Sequence, residues 1–379
     1  MQQLSMITKT LLLAGFSSLS LWTAPAQAVS FSGLGWLPDT SYSIANAISA
    51  DGSVVVGSGA CIEYSGCYGT STFQAFRWTQ ETGMVGIGLD FNKNSNALAL
   101  SADGSVVVGT FDDGLFSFNA FRWTQETGMV SLGANTRNAT GVSADGSVVV
   151  GSVEVDVSDP KEQREAFLWT QTNGIVPLGS CGNEACSSAA TAVSADGSVV
   201  IGFNYNAGIV SQGFRWTQAT GIEGFNAVPN AVSADSSVIV GTGQNGAFRW
   251  TQSSGIVWLE DHKNSDSAAT GVSADGSIII GKQIFSSGSE SFLWSQETGM
   301  VSLKETLIGK GLDVSGWTLN EATGISADGF TIVGNGTNPS GQSEAWVANL
   351  SPEAVPEPLT ILGAMTAIGF GICFKRKLA

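Results

Sequence analysis

Apolar and polar residues follow one pattern that recurs seven times along the chain. Each copy begins with Ser-Ala-Asp-Gly, continues as a short apolar run ending in Gly, and then gives an aromatic segment of the type Ala-Phe-Arg-Trp. A polar turn then leads into a Gly-Met-Val segment, so each copy contains four candidate β-strands. Consecutive copies lie 39 to 53 residues apart, and they begin at Ser49, Ser101, Ser143, Ser194, Ser233, Ser273 and Ser326.

The Asp-Gly pair of each copy predicts a hairpin turn, because Gly tolerates positive φ and Asp favours turns. The turn joins an upstream Ala-x-x-Val-Ser strand to the apolar run that follows. In the fifth copy Ser replaces the Gly. The predicted turn residues are Asp51, Gly52, Asp103, Gly104, Asp145, Gly146, Asp196, Gly197, Asp235, Asp275, Gly276, Asp328 and Gly329.

The two middle strands of each copy differ in pattern. Runs such as Val54–Val56 are apolar at every position, which predicts a strand buried on both faces. In the aromatic segment, alternation places Phe76 and Trp78 on one face and Ala75, Arg77 and Thr79 on the other. We expect these rings to form an aromatic layer between neighbouring sheets, with an exposed platform for sugars as the alternative.

Four-stranded units of this length predict an all-β fold, a seven-bladed β-propeller. Seven hairpins are followed by only six complete Gly-Met-Val-type strands, and an N-terminal segment, Phe31–Leu37, supplies the seventh. We expect it to pair next to Trp346–Leu350, so that the ring closes without a free edge. An open solenoid, or a ring of six or eight blades, is the alternative, because the last aromatic copy, Ala345-Trp346, is degenerate.

The N-terminal residues 1–28 predict a secretory signal peptide. Lys9 precedes an apolar run, and Ala26 and Ala28 form a small-residue cleavage site. A membrane anchor is the alternative, but serines interrupt the run and it is short for a span.

The C-terminal end has three parts in a fixed order. Residues 351–358 form a linker, residues 359–374 are apolar and predict a transmembrane helix, and residues 375–379 form a basic tail on the cytoplasmic side. This arrangement resembles the PEP-CTERM sorting signal of bacteria, which an exosortase-type membrane protease recognises. The resemblance implies a transient anchor, and an ordinary anchor is the alternative. The motif residues are Val355, Pro356, Glu357, Pro358, Lys375, Arg376 and Lys377.

Residues 29–350, the predicted propeller, also resemble a family. The run Ser-Ala-Asp-Gly-Ser-Val-Val-Val-Gly, with Ala-Phe-Arg-Trp and Gly-Met-Val after it, resembles the HAF repeat of bacterial extracellular proteins. The resemblance implies a secreted or surface protein and assigns no activity. The Asp-box of sialidases is not matched, because Asp and Gly are adjacent here and no Thr-Trp follows.

Charge excludes one class of partner. Four of the 16 basic residues lie in the two ends, so residues 29–358 carry 12 basic against 32 acidic groups, a formal charge of −20. Such a surface repels phosphate backbones, which excludes nucleic acid as a partner. At 43% hydrophobic and 13% charged residues, the chain is also neither disordered nor a helical rod.

Candidates for site chemistry are few. Two pairs of cysteines, each within a short segment, predict disulfides in an exported chain: Cys61 with Cys67, and Cys181 with Cys186. Zinc is the alternative, but the single histidine, His262, lies in another repeat and is expected to be a solvated loop residue.

No cofactor is expected. Ca²⁺ bound by the acidic segments Glu154–Glu165 or Asp112-Asp113 is the alternative, although these segments lack the spacing of a calcium loop.

Together these patterns predict an exported, non-catalytic protein of the cell surface or matrix that binds polysaccharide. The loops between the apolar and aromatic strands, such as 58–74 and 152–165, are expected to carry specificity. The alternatives are an extracellular polysaccharide-cleaving enzyme, with two carboxylates brought together by the ring, and a purely structural coat protein.

Overall fold

A computed structural model describes residues 29–38, 40–60, 73–88, 93–112, 118–154, 163–179, 186–206, 209–260 and 266–351. These residues form seven four-stranded antiparallel sheets, which confirms the predicted seven-bladed propeller. Six blades use four consecutive strands each, as the repeat predicts. We number the blades 1 to 7 in the order of the seven repeats and call the strands of a blade first to fourth, in the order of the repeat.

Blades 1 to 3 contain strands β2 to β13. Their bounds are β2 Tyr42–Ile48, β3 Val54–Ala60, β4 Phe73–Thr79 and β5 Gly83–Gly86; β6 Ser95–Leu100, β7 Val106–Asp112, β8 Phe118–Thr124 and β9 Gly128–Ser131; and β10 Thr136–Val142, β11 Val148–Glu154, β12 Arg164–Thr170 and β13 Gly174–Gly179.

Blades 4 to 6 contain strands β14 to β25. Their bounds are β14 Cys186–Val193, β15 Val199–Asn206, β16 Ile209–Thr217 and β17 Gly221–Phe225; β18 Val228–Val232, β19 Val238–Gly243, β20 Gly246–Thr251 and β21 Gly255–Trp258; and β22 Ser267–Val272, β23 Ile278–Phe285, β24 Gly288–Ser295 and β25 Gly299–Ser302.

Blade 7 combines the two ends of the propeller. It contains β26 Thr318–Ile325, β27 Thr331–Thr337 and β28 Ser343–Asn349, and its fourth strand is β1, Ser30–Gly33. Strand β1 pairs antiparallel with β28, which confirms the predicted closure. The expected strand was Phe31–Leu37, and the observed one is shorter. The backbone N–H of Leu34 makes the last bond to blade 7, to the carbonyl of Ala345, and the residues after it are not part of the sheet.

The first strands line the inside of the ring. Each contacts the first strand of the next blade, from β2 through β6, β10, β14, β18, β22 and β26 and back to β2. The ring is therefore closed rather than an open solenoid.

All seven first strands contain a β-bulge at the same position. In blade 3 the register shifts between Ala139 and Gly141, so Thr140 lies opposite no residue of the partner strand. Its hydroxyl donates to the carbonyl of Ala190 in blade 4 at 2.9 Å. The side chain at this position donates to the following blade in six blades, through a threonine hydroxyl in blades 3, 4, 6 and 7 and through an asparagine amide in blades 1 and 5. In blade 2 the position is Leu98, whose side chain has no donor. The bulges therefore link the blades through side chains as well as through packing.

The core lies between adjacent blades. The second strands are buried on both faces, as their continuous apolar runs predict. Phe76 and Trp78 pack on Val333 and Ala345 of blade 7, whereas Ala75 faces blade 2. The expected aromatic layer is confirmed, because six repeat phenylalanines are completely buried: Phe76, Phe121, Phe167, Phe214, Phe248 and Phe292.

One element has no counterpart in the repeat. Helix α1, Leu303–Gly309, lies in the connection between blades 6 and 7, and Leu303 and Leu307 are fully buried beneath it. The Ser302 side chain caps its N-terminus by accepting from the N–H of Glu305.

Several predictions fall outside the described residues. These are the signal peptide with Ala26 and Ala28, the sorting motif, the apolar segment 359–374 and the basic tail. Among the residues that are described, no helix has both the length and the apolar character needed to cross a membrane.

Candidate functional site

The propeller has two unlike faces. Within each blade the turn between the first and second strands lies at one end, which we call the turn face, and in blades 1 to 6 the turn between the third and fourth strands lies there too. The links between the second and third strands, and from one blade to the next, lie at the other end, which we call the loop face. This follows from the antiparallel order of the strands.

The Ser-Ala-Asp turns build the turn face from closely similar contacts in the seven blades, although in blade 7 Phe330 replaces the second serine and donates only its backbone N–H to Asp328. In blade 2 the N–H of Gly104 donates to the carbonyl of Ser101, and the Ser101 hydroxyl donates to Asp103 at 2.6 Å. Asp103 also accepts from the N–H and the hydroxyl of Ser105. The predicted turn residues therefore all lie in turns, with the Asp side chains exposed.

In blades 1 to 6 these bonds favour the charged form of the turn aspartate. The hydroxyl of Ser101, and then the N–H and hydroxyl of Ser105, lower the pKa of Asp103 to about 2. The same groups in the next blade, with the Ser143 hydroxyl first, lower the pKa of Asp145 to about 2. The pKa is also lowered in Asp51, Asp196, Asp235 and Asp275.

The alanines of these turns are linked around the ring. The N–H of Ala50 donates to the carbonyl of Ala102 at 2.9 Å, and Ala327 of blade 7 donates back to Ala50 at 2.8 Å. Six of the seven bonds of this kind are present among the described residues, and the one from Ala195 to Ala234 is absent. The turn face is thus a repeated, mutually bonded layer whose contacts serve the architecture.

The loop face carries a pocket between blades 2 and 3, which we call the Phe118 pocket. Its volume is about 440 Å³. The walls come from the ends of β7 and β8, the connection after β9, and the ends of β10 and β11. It is lined by Phe111, Phe118, Asn119, Ser131, Gly133, Ala134, Asn135, Thr136, Arg137 and Glu154.

A second loop-face pocket lies between blades 6 and 7, which we call the Glu290 pocket, with a volume of about 510 Å³. Glu290 accepts from the Ser302 hydroxyl, and the Lys304 ammonium donates to the carbonyl of Trp317 at 2.7 Å. The exposed side chain of Phe285 lies at its rim, and Asn320 lies in its wall.

The two pockets occupy equivalent places in the repeat but differ in chemistry. Counting from the buried phenylalanine of each third strand, Phe118 corresponds to Ser289 and Asn119 to Glu290. Similarly, Arg137 in the first strand of blade 3 corresponds to Asn320 in blade 7. The loop face therefore varies from blade to blade where the turn face repeats.

A third pocket, of about 560 Å³, lies at the outer edge between blades 1 and 2. It is lined by Arg77, Val85, Trp123 and Met129 among others. The Arg77 Nε donates to the carbonyl of Gly104 at 3.4 Å, so this arginine of the repeat connects its blade to the next turn.

Only some of the remaining predicted residues belong to the described part of the chain. Cys186 is disulfide-bonded, but Cys61, Cys67 and Cys181 lie outside the described residues, so neither predicted pairing is tested. His262, Asp113 and residues 155–162 of the acidic loop also lie outside them. Within the described ranges, no group of three or more His, Cys, Asp or Glu side chains is placed to hold a metal ion.

One lining residue of the Phe118 pocket, Glu154, lies in the segment 152–165 that was expected to carry specificity, and the others were not singled out from the sequence. Of the two expected segments, 58–74 and 152–165, residues 61–72 and 155–162 are outside the described part. The usable signal was Phe118, an additional aromatic residue just before the repeated Ala-Phe-Arg-Trp segment. Its partners Arg137 and Glu154 are distant in sequence and meet it only through the packing of blades.

Solved structures of low sequence identity share this fold. A prolyl endopeptidase matches at a TM-score of 0.55 and 11% identity, over 83% of this chain and 51% of that one. The β-propeller domain of the Trilobed protease from Pyrococcus furiosus, described as having an open velcro topology, matches at 0.53 and 8% identity, over 84% and 100%. Oligogalacturonate lyase from Vibrio parahaemolyticus matches at 0.51 and 11% identity, over 88% and 100%.

These likenesses show the propeller fold and no more. The chain spans about half the length of the prolyl endopeptidase. No protein-family model matches the sequence, and no curated protein matches it either.

Proposed function

We propose that this protein is a non-catalytic binding protein of the bacterial cell surface or extracellular matrix, with polysaccharide as its partner. In this proposal the signal peptide exports the chain, and an exosortase-type enzyme processes the C-terminal sorting signal after transient anchoring in the membrane. The family resemblances of the repeat and of the C-terminal 25 residues support the proposed export and surface location.

One observation supports binding in particular: the loop face carries pockets whose lining differs from blade to blade, on a scaffold whose other face is repeated. Recognition surfaces diverge while the elements that position them are kept. The Phe118 and Glu290 pockets, at about 440 and 510 Å³, also lie within the volume range of small-ligand sites.

A glycan array probed with the purified full-length chain tests this proposal, followed by analysis of every bound polysaccharide for cleavage products. Binding without products is the expected result. Products would overturn the non-catalytic assignment in favour of a polysaccharide-cleaving enzyme. An absence of binding to all glycans would favour a structural coat protein.

A further inference from the structure

The exposure of Phe118 distinguishes it from the ring layer of the core. Its side chain is 44% exposed, at the first position of β8, whereas the phenylalanine three residues later, Phe121, is completely buried. Exposing part of a phenyl ring in a concave wall has a cost, since its apolar area is not removed from water. A phenyl face of this kind accepts the C–H side of a sugar ring, and aromatic residues are common in ligand pockets.

Hydrogen-bonding groups surround the ring on the other walls. Asn119 lies beside it in the sequence, and the exposed Asn135 lies in the connection to blade 3 with φ of +64°, a left-handed conformation that Asn adopts more readily than most residues. An apolar face with a few polar groups around it is the usual arrangement of a site for a polyhydroxylated ligand.

A salt bridge closes the far side of the pocket. The guanidinium of Arg137 lies 3.2 Å from the carboxylate of Glu154, and their side chains are 31% and 19% exposed. The guanidinium has five N–H donors and the carboxylate about four acceptor sites, so one ion pair leaves donors and acceptors for hydroxyl groups. Hydrogen bonds to the backbone hold both residues in place. The N–H of Glu154 donates to the carbonyl of Asn135 at 2.8 Å, and the hydroxyl of Thr110 donates to the carbonyl of Arg137 at 3.1 Å.

The charges decide which class of sugar fits. Arg137 and Glu154 neutralise each other, so the described lining of the pocket offers an acidic ligand no uncompensated cation. The formal charge of −20 on residues 29–358 repels polyanions as a whole. We propose that the Phe118 pocket binds a neutral oligosaccharide, with one sugar ring against Phe118 and its hydroxyls on the Arg137–Glu154 pair. This inference rests on the proposed function, which it makes specific.

Calorimetric titration of the full-length chain tests it, with neutral hexasaccharides of glucose, mannose and galactose as ligands and hexagalacturonate as the acidic counterpart. The variant F118A removes the ring, and F118Y keeps it. The matched control is F73A, because Phe73 has the same place in blade 1, is 40% exposed, and does not line the pocket. The melting temperature of each variant shows that it is folded.

We expect at least one neutral hexasaccharide to bind, an affinity loss of about tenfold in F118A, and near-normal binding in F118Y and F73A. Equal binding by F118A and the unmodified chain would overturn this pocket and leave the proposed function standing. Binding of hexagalacturonate alone would overturn the neutral assignment. No binding of any oligosaccharide or array glycan would overturn both proposals together.

Discussion

Phe31 of the N-terminal strand lies directly opposite Ala348 in blade 7. The equivalent pair in blade 1 is Met84 in the fourth strand and Trp78 in the third strand. In the closing blade the third-strand residue is instead the small one, Ala348, and the fourth-strand residue, Phe31, is the larger of the two. The indole has moved to Trp346, two residues earlier, where the other six blades have a buried phenylalanine. The Trp346 ring fills space beside Ala348. The indole N–H of Trp346 has no acceptor within the described part of the chain.

The first prediction concerns this closure. Phe31 makes an edge-on ring contact with Trp317 at 5.2 Å and lies 6.1 Å from Trp346. Replacing it by Ala removes half-buried apolar area and leaves space at Ala348 unfilled. We expect F31A to lower the free energy of unfolding by about 2 kcal/mol, which lowers the melting temperature by a few degrees.

The control for this closure is S32A in the same strand. Ser32 is exposed and pairs with Val347, so its side chain fills no space in the core. We expect its melting temperature to match that of the unmodified chain. If F31A melts at the same temperature as S32A, the aromatic contacts of Phe31 do not contribute to the closure of the propeller by β1.

The second prediction concerns the altered turn of blade 5. Ser236 has φ of +63°, which costs a residue with a Cβ roughly 1–2 kcal/mol, and in the other six turns this position is Gly. It is also the turn whose Ala234 receives no bond from Ala195. We expect S236G to raise the melting temperature slightly, because relief of strain exceeds the added freedom of Gly in the unfolded chain.

The reverse change in blade 6 provides the opposing control. Gly276 has φ of +72°, and a Cβ there would lie 2.4 Å from Val238. We therefore expect G276S to lower the melting temperature. Thermal unfolding of both variants checks the argument, and a lower melting temperature for S236G would show that the turn is not strained.

The periodicity of the sequence was enough to predict the number of blades, their strand order and the closing strand. It did not reveal the bulges, because a single extra residue such as Thr140 looks like part of an ordinary strand until its partner is known. Helix α1 was not predicted because Leu303–Gly309 lies in a segment that does not follow the repeat pattern. The Phe118 pocket was missed because residues of two blades form it. By contrast, the Gly that ends each apolar run is now explained, since a Cβ on Gly57 would lie 1.8 Å from the Ile44 carbonyl oxygen.

The third prediction concerns the bulges. The Thr140 hydroxyl links blade 3 to blade 4 through the carbonyl of Ala190. The variant T140V keeps the shape of the side chain and removes the donor, and we expect a loss of about 1 kcal/mol in the free energy of unfolding. The variant T140S keeps the hydroxyl and loses a methyl group. Urea unfolding should therefore rank T140S above T140V, and the opposite ranking would remove the hydrogen bond from the account of blade docking.

The last prediction concerns acid. Hydrogen bonds lower the pKa of Asp103 and Asp145 to about 2 in the folded chain, against about 3.9 in an unfolded one. Because the folded state binds a proton less readily, these groups contribute stability above about pH 4 that is lost as the pH falls towards 2. Both side chains are exposed, so solvent reduces the effect, and a difference in melting temperature is the suitable measure.

The double variant D103N/D145N keeps an acceptor oxygen at both positions and removes the charge. We expect it to melt below the unmodified chain at pH 7, with the difference shrinking towards zero as the pH falls to about 2, where the aspartates themselves become neutral. The control E81Q/E126Q removes two negative charges from exposed side chains of the same face, which accounts for any relief of general charge repulsion. A difference that does not change with pH, or one that the control reproduces, would mean that the hydrogen-bonded carboxylates do not stabilise the turns through their charge.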